Sequence, residues 1–368
     1  MDEYAVLDYD DDLDRPGFVE LAIDAMLELV SQEHAVVWHE IEAKLAEQAH
    51  RNSPRGYNPH VLTNARNHLI ATGQIEAVTG RARGGREITV YGLANRRQLR
   101  RETKFDVVAA RKRLLETRYL GWAEGSARAR VIGDAGELVT HRSLHAAAAS
   151  GYRIVNPTHR LGNVEILFNR PVPGGSLDNA AHLIVDTPHG ESVVTVVIEV
   201  KNLRAWLYPR AEEIYQLLDK AAQLQIAYPN RRFFPILVCR RVHYLTLLMA
   251  KHLGFFIVRF GQSAQPILSH NTVGKDDRRE VENELGYRFA TVTEGVFPAV
   301  QRAFAQTVPQ NAFEYSERWS TMAPTLAPFF GLLRNENLTN VERENEVTNL
   351  WQASAGIILP EKRWRRPR

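Results

Sequence analysis

A single cysteine stands in the 368 residues, Cys239, within the apolar run FFPILVC. A disulfide framework and a cysteine-rich zinc site are therefore excluded, and a reducing compartment is expected. No apolar stretch has the length that spans a bilayer, and the N-terminus is acidic, unlike a signal peptide. The expectation is a cytoplasmic protein without a membrane partner. A phosphate loop is missing as well: NTVGKDD has a Gly-Lys pair, but no glycine-rich run precedes it and no Ser or Thr follows. No nucleotide cofactor is implied. WHEIEAK lacks the second histidine of a zinc-protease helix. His141 and His145, four apart on an expected helix, lack an evident third ligand and read as a partly exposed pair.

What the chain does have is ordinary globular composition, 44% hydrophobic and 24% charged, at a length that suits two or three domains. Its net charge of +3 is unevenly spread. Residues 1 to 50 hold 14 acidic against 2 basic side chains, net −12, and residues 51 to 130 hold 17 basic against 6 acidic, net +11. Such asymmetry points to a segment that binds a polyanion. Residues 1–16 form an acidic stretch, with Asp8 and Asp10 to Asp12, whose mutual repulsion and lack of apolar neighbours predict a flexible arm.

Helical spacing of apolar residues follows in FVELAIDAMLELVSQ and VWHEIEAKLAEQ. In NPHVLTNARNHLIATGQ, Asn58 is placed to cap the helix and Pro59 takes its first position. Leu62, Ala65 and Leu69 form the apolar face, and His60, Thr63, Asn64 and Asn67 the polar one. IEAVTGRARGGREITVYGLA then reads as a hairpin with a Gly- and Arg-rich tip. Three helices and a basic hairpin in this order resemble a winged helix-turn-helix domain, over residues 17–100. The resemblance implies that the third helix enters the major groove of double-stranded DNA, with His60, Asn64 and Asn67 on the bases. It implies that Arg81, Arg83 and Arg86 hold phosphates. The acidic arm would then lie over the basic surface and compete with DNA. Residues 101–130 read as a basic connecting helix and a boundary loop.

Within TVVIEVKN, residues 195 to 202, Glu199 and Lys201 interrupt a run of β-branched residues, and the period of two puts both on one face of a strand. Two charges in a strand of this kind call for a partner or a ligand. LDNAAHLIVD precedes it across a short turn at Pro188, His189 and Gly190, so the two strands form an antiparallel hairpin whose paired residue numbers sum to about 377 to 379. That register sets Asp178 beside Glu199 and Lys201. Asp186, the other acid on the strand, would lie on the order of 23 Å away. An acid next to an acid-x-lysine triplet suits metal-dependent phosphodiester hydrolysis: the carboxylates are hard ligands for Mg2+, and the lysine stabilises charge in the transition state.

GELVTHRSL, SLDNAAHLIV and VVIEVKN together resemble the PD-(D/E)XK, or restriction-endonuclease-like, nuclease superfamily, over residues 131–270. The resemblance implies an α/β domain, a mixed sheet flanked by helices, with Asp178, Glu199 and Lys201 as catalytic residues and Glu137 in support. It implies metal ligation by Asp178, Glu199, Glu137 and the Val200 carbonyl, with Mg2+ as the ion and Mn2+ able to substitute. Two departures stand out: Leu177 replaces the usual proline before Asp178, and a long excursion runs from residue 157 to 176. In the helix after the triplet, Glu213, Gln216, Lys220 and Gln223 share a polar face, which reads as solvated, although the resemblance implies that a Gln or Lys there can support the site.

Residues 271–368 read as a mostly helical, polar region without a motif, ending in the basic tail KRWRRPR. The function expected from these features is a Mg2+-dependent endonuclease, guided to duplex DNA by a winged helix and acting in restriction or in defence against foreign DNA. Cutting both strands calls for two active sites, so a homodimer is expected. The competing expectations are a catalytically silent DNA-binding regulator built on a nuclease-like fold and a nuclease that acts on RNA.

Overall fold

Residues 193 to 200 are β-branched except for Glu199, a composition that fits a pleated, packed surface. In the computed structural model they lie in the middle strand of a five-stranded mixed sheet. The structure describes residues 16–48, 56–82, 85–124, 131–159, 161–187, 190–261, 264–268, 273–292 and 295–357. The expected acidic arm, Arg83, the turn residues Pro188 and His189, and the basic tail lie outside these. The protein is a mixed α/β structure that divides into two compact units. One is Met1–Val131 with Ser269–Phe289, and the other is Ile132–Leu268 with Ala290–Arg368.

The first unit contains the helix Pro16–Glu33, the short strand Val36–Val37, a helical stretch from Trp38 to Ala46, and the helix Pro59–Ala71. The strands Ile75–Arg81 and Glu87–Leu93 form an antiparallel hairpin, and Val36–Val37 adds to its second strand. Leu62, Ala65 and Leu69 are buried as their spacing predicts. Asn58 does occupy the N-cap position of its helix, with an extended backbone, but its side chain makes no capping bond. Pro59 at the first helical position removes one of the N–H groups that would have no partner within the helix.

Two further helices complete this unit, Glu102–Glu124 and Lys275–Leu285. Acidic residues of the second pair with basic residues of the first. The Arg111 guanidinium donates to Glu284 at 2.8 Å, and Arg118 sits 2.9 Å from Asp277 and 2.7 Å from Glu280. Lys112 is buried, with its ammonium 2.6 Å from Glu40 and 2.6 Å from the Glu284 carbonyl. Much of the positive charge between residues 102 and 124 is thus answered by carboxylates of the same unit.

In the second unit the sheet order is Phe256–Arg259, Arg232–Cys239, Gly190–Lys201, Asn179–Thr187, Tyr152–Ile154. The first three strands are parallel and the last two pairings antiparallel. Alternation along the middle strand sends Val197 into one apolar cluster and Val196, Ile198 and Val200 into another. Both faces are therefore covered, as expected for strands this apolar. Glu199 and Lys201 share the Val197 face, which the helix Glu212–Ala227 covers. The expectation of a polar C-terminal region is corrected by the helix Val308–Leu333, which buries Trp319, Met322, Leu326 and Phe330 in the same cluster. A hydrophobic stripe at helical spacing makes this helix part of the core.

The excursion before Asp178 is itself folded. Ile166–Leu167 pairs with Arg170–Pro171 across a two-residue turn in which Phe168 and Asn169 both have positive φ, 52° and 60°. A turn with both central residues left-handed matches the twist of a hairpin. The Phe168 ring is held by Tyr228 at 5.1 Å and His182 at 5.5 Å between centroids, with the Arg231 guanidinium 4.1 Å from its own.

Candidate active site

The hairpin register is the one the turn predicts: Asn179 pairs with Ile198, and the Asp178 N–H donates to the Ile198 carbonyl at 3.1 Å. The regular pairing ends there, and Asp178 follows it close enough to Glu199 for the two carboxylates to interact. The Val200 N–H donates to Asp178 Oδ2 at 2.6 Å, which fixes the carboxylate against the neighbouring strand. Glu137 arrives from the helix Val131–Ala146 and is buried. Its Oε2 accepts from Asn163 Nδ2 at 3.2 Å, and the same amide lies 3.5 Å from Asp178 Oδ1.

Glu199 is only 4% exposed, a burial that would be costly for an isolated carboxylate. It is answered by two lysines. Lys220 Nζ lies 3.2 Å from both of its oxygens, and Lys201 Nζ is 3.5 Å from Oε1. Lys201 also donates to Gln216 Oε1 at 2.6 Å, and Lys220 to the Ser176 carbonyl at 2.6 Å. Gln216 and Lys220 therefore overturn the reading of their helix face as solvated. Two of its four polar residues point at the site, because the helix covers the sheet just where Glu199 and Lys201 emerge.

Burial, and then the nearby Glu199 and Glu137 carboxylates, push the Asp178 carboxyl well above the usual aspartate range. Lys201 and the Val200 N–H pull the other way without cancelling the effect. Carboxylates crowded in this manner are what a bound cation relieves. Among the described residues, however, no group of three or more His, Cys, Asp or Glu is arranged as a metal site. Asp178, Glu199 and the Val200 carbonyl offer a hard-oxygen donor set that fits an ion content with few protein ligands. Glu137 acts on Asp178 through its charge and is engaged by Asn163. His141 and His145 meet edge to face at 4.5 Å between centroids, and His141 is hydrogen-bonded to Asn179 at 2.7 Å.

On the helix Pro59–Ala71, Asn64 and Asn67 are exposed and His60 is half-buried. The Asn67 Oδ1 accepts from the Arg66 guanidinium at 3.1 Å, and Arg66 lies 4.6 Å from the centroid of Trp38. Arg66 is an addition that helical spacing alone does not single out. At the hairpin, Arg81 is 79% exposed and 3.6 Å from Glu87, whereas Arg86 is bound to Glu124 at 2.9 Å. Arg83 is outside the described residues. Asn163, Gln216 and Lys220 are the site residues that sequence reasoning missed or misplaced. The one signal for the last two is their spacing of four on a helix that follows the triplet.

No family model, curated protein or solved structure matches this chain. Among the described residues no helix is long and apolar enough to cross a membrane.

Proposed function

We propose that the chain is a Mg2+-dependent endonuclease that hydrolyses phosphodiester bonds in duplex DNA, with a winged helix-turn-helix unit for binding and a restriction-endonuclease-like unit for cleavage. The observation that carries this reading is the Asp178 carboxylate fastened by the Val200 N–H to the strand that carries Glu199, with Lys201 3.5 Å from Glu199 on the same face. In this reading Asp178, Glu199 and the Val200 carbonyl hold the ion. Bound there, Mg2+ would neutralise charge on the scissile phosphate and acidify an attacking water. Lys201 supplies positive charge to the pentacovalent phosphate and is aimed by Gln216. Lys220 fixes Glu199 in orientation through both of its oxygens. Asn64, Asn67 and Arg81 present donors toward DNA from their own unit.

One observation favours a second reading. The Lys220 ammonium already lies against both Glu199 oxygens, as a cation would, which suits a silent DNA-binding regulator. The deciding experiment incubates wild type, Asp178→Ala and Lys201→Ala with supercoiled plasmid, genomic DNA and RNA, in Mg2+ and in EDTA. Metal-dependent cleavage lost in both variants, with binding kept, supports the nuclease. DNA binding without cleavage under any condition supports the regulator, and cleavage of RNA alone replaces the DNA reading.

A further inference from the structure

Asn163 belongs to the excursion of residues 157 to 176, yet it reaches the carboxylates directly. Val164 and Leu177 form an antiparallel bridge, with N–H···O distances of 2.8 and 3.0 Å in the two directions. The bridge sets Asn163 next to Asp178: the Asn163 Nδ2 lies 3.2 Å from Glu137 Oε2 and 3.5 Å from Asp178 Oδ1. Asp178 is in turn tied to the strand that carries Glu199, through the Ile198 carbonyl and the Val200 N–H.

The position is firmly built. The Thr158 N–H donates to the Asn163 carbonyl at 2.7 Å. Gly162, at φ 104°, packs against His141 and Asn179 with no room for a Cβ. Further along, the Ser176 carbonyl is held by Lys220 at 2.6 Å and the Gly174 carbonyl by Arg334 at 2.6 Å. The Phe168 ring, packed against Tyr228, closes the other end.

A primary amide has two N–H donors and no charge. It can bond to two neighbouring carboxylates at once without pairing off their charge, as a lysine would. We propose that Asn163 is a positioning residue for the divalent cation: its amide holds Glu137 beside Asp178 and so sets the affinity of the site and its choice of ion. This inference rests on the metal-dependent nuclease reading. Groups that orient metal ligands from behind are worth roughly 10–100-fold in metal affinity. Asn163→Ala should therefore weaken cation binding by about that factor. Asn163→Asp keeps the shape, removes both donors and adds a carboxylate. It should favour Ca2+ over Mg2+, since Ca2+ accepts more oxygen ligands.

The test is calorimetric titration of the full chain with Mn2+, Mg2+ and Ca2+, for wild type and both variants, with thermal unfolding run alongside. Weaker binding by Asn163→Ala and a raised Ca2+ to Mg2+ preference in Asn163→Asp, at unchanged melting temperature, is the expected result. Wild-type affinity and ion preference in both variants overturns the inference and leaves the nuclease intact. An equal loss in both, accompanied by a lowered melting temperature, overturns it in favour of a purely structural role. Absence of cation binding by wild type overturns both this inference and the metal-dependent reading.

Discussion

The Asp178 carboxylate is tied to the strand that carries the Glu199 carboxylate: the main-chain N–H of Val200, directly after Glu199, donates to Asp178 Oδ2 at 2.6 Å, and the Asp178 N–H donates to the Ile198 carbonyl at 3.1 Å. The two carboxylates cannot move independently of the sheet. Their crowding has consequences that can be measured even without a substrate.

The Asp178 carboxyl is raised by burial, Glu199 and Glu137. For an acid whose folded pKa exceeds its unfolded one, the unfolded chain gives up its proton first. Its contribution to stability is whole below the ordinary aspartate value of about 3.9 and is lost as pH rises toward the folded value. Asp178→Asn should therefore raise the melting temperature at pH 7 in EDTA, with the gain shrinking as pH falls. A melting difference that stays flat with pH would contradict the assignment. Cation binding should weaken as pH falls through the raised pKa, because the ion needs the ionised carboxylate.

Lys220→Met leaves Glu199 buried against Lys201, whose ammonium is 3.5 Å away. Breaking a buried ion pair in this way costs about 3–5 kcal/mol. Replacing Glu199 by Gln in the same chain should return part of that loss. Denaturant unfolding of the two single variants and the double variant measures the coupling, and additive losses would show that the pair is not coupled.

Gly254 ends the helix Tyr244–Leu253 in a left-handed conformation, φ 89°, where a Cβ would meet the Trp319 main chain. Gly254→Ala should destabilise the protein by roughly 1–3 kcal/mol. Chemical denaturation checks this, and a neutral outcome would mean that the Val308–Leu333 helix gives way easily.

For the DNA-binding role proposed for the first unit, Arg81 is exposed at a hairpin strand end and Asn64 on the helix. Arg81→Ala should weaken binding to every duplex alike and lower the slope of log affinity against log salt by about 1. Asn64→Ala should narrow the difference between preferred and other sequences. Fluorescence anisotropy on a panel of duplexes over a salt series separates the two effects, and equal losses on all sequences for Asn64→Ala would remove it from base reading.

Asp178, Glu199 and Lys201 are legible in the sequence because a short turn fixes register and because two charges in a β-branched run are chemically conspicuous. Asn163 is not legible. Its place beside Asp178 depends on how an excursion of about twenty residues folds back, and nothing local encodes the bridge from Val164 to Leu177. Lys220 misleads for a different reason. A polar helix stripe ordinarily faces water, and only the sheet beneath reveals that this one faces buried charge. Similarly, the acidic run of Lys275–Leu285 gives no sign in sequence that it pairs with Arg111 and Arg118, some 160 residues earlier. For the same reason the net +11 of residues 51 to 130 overstates the charge left for a polyanion.

That acidic helix also sets an order of events. Buried Val281 and Leu285, the Glu284 carbonyl that holds Lys112, and the Tyr287 hydroxyl bonded to Glu116 at 2.5 Å all belong to the first unit. Chains emerge from the ribosome N-terminal end first, at about 5–20 residues per second. The first unit to be started is therefore left open while the whole five-stranded sheet of the second is being synthesised. Its final helix is delivered only afterwards, so a nascent chain halted before residue 273 carries a first unit that lacks a piece of its own core.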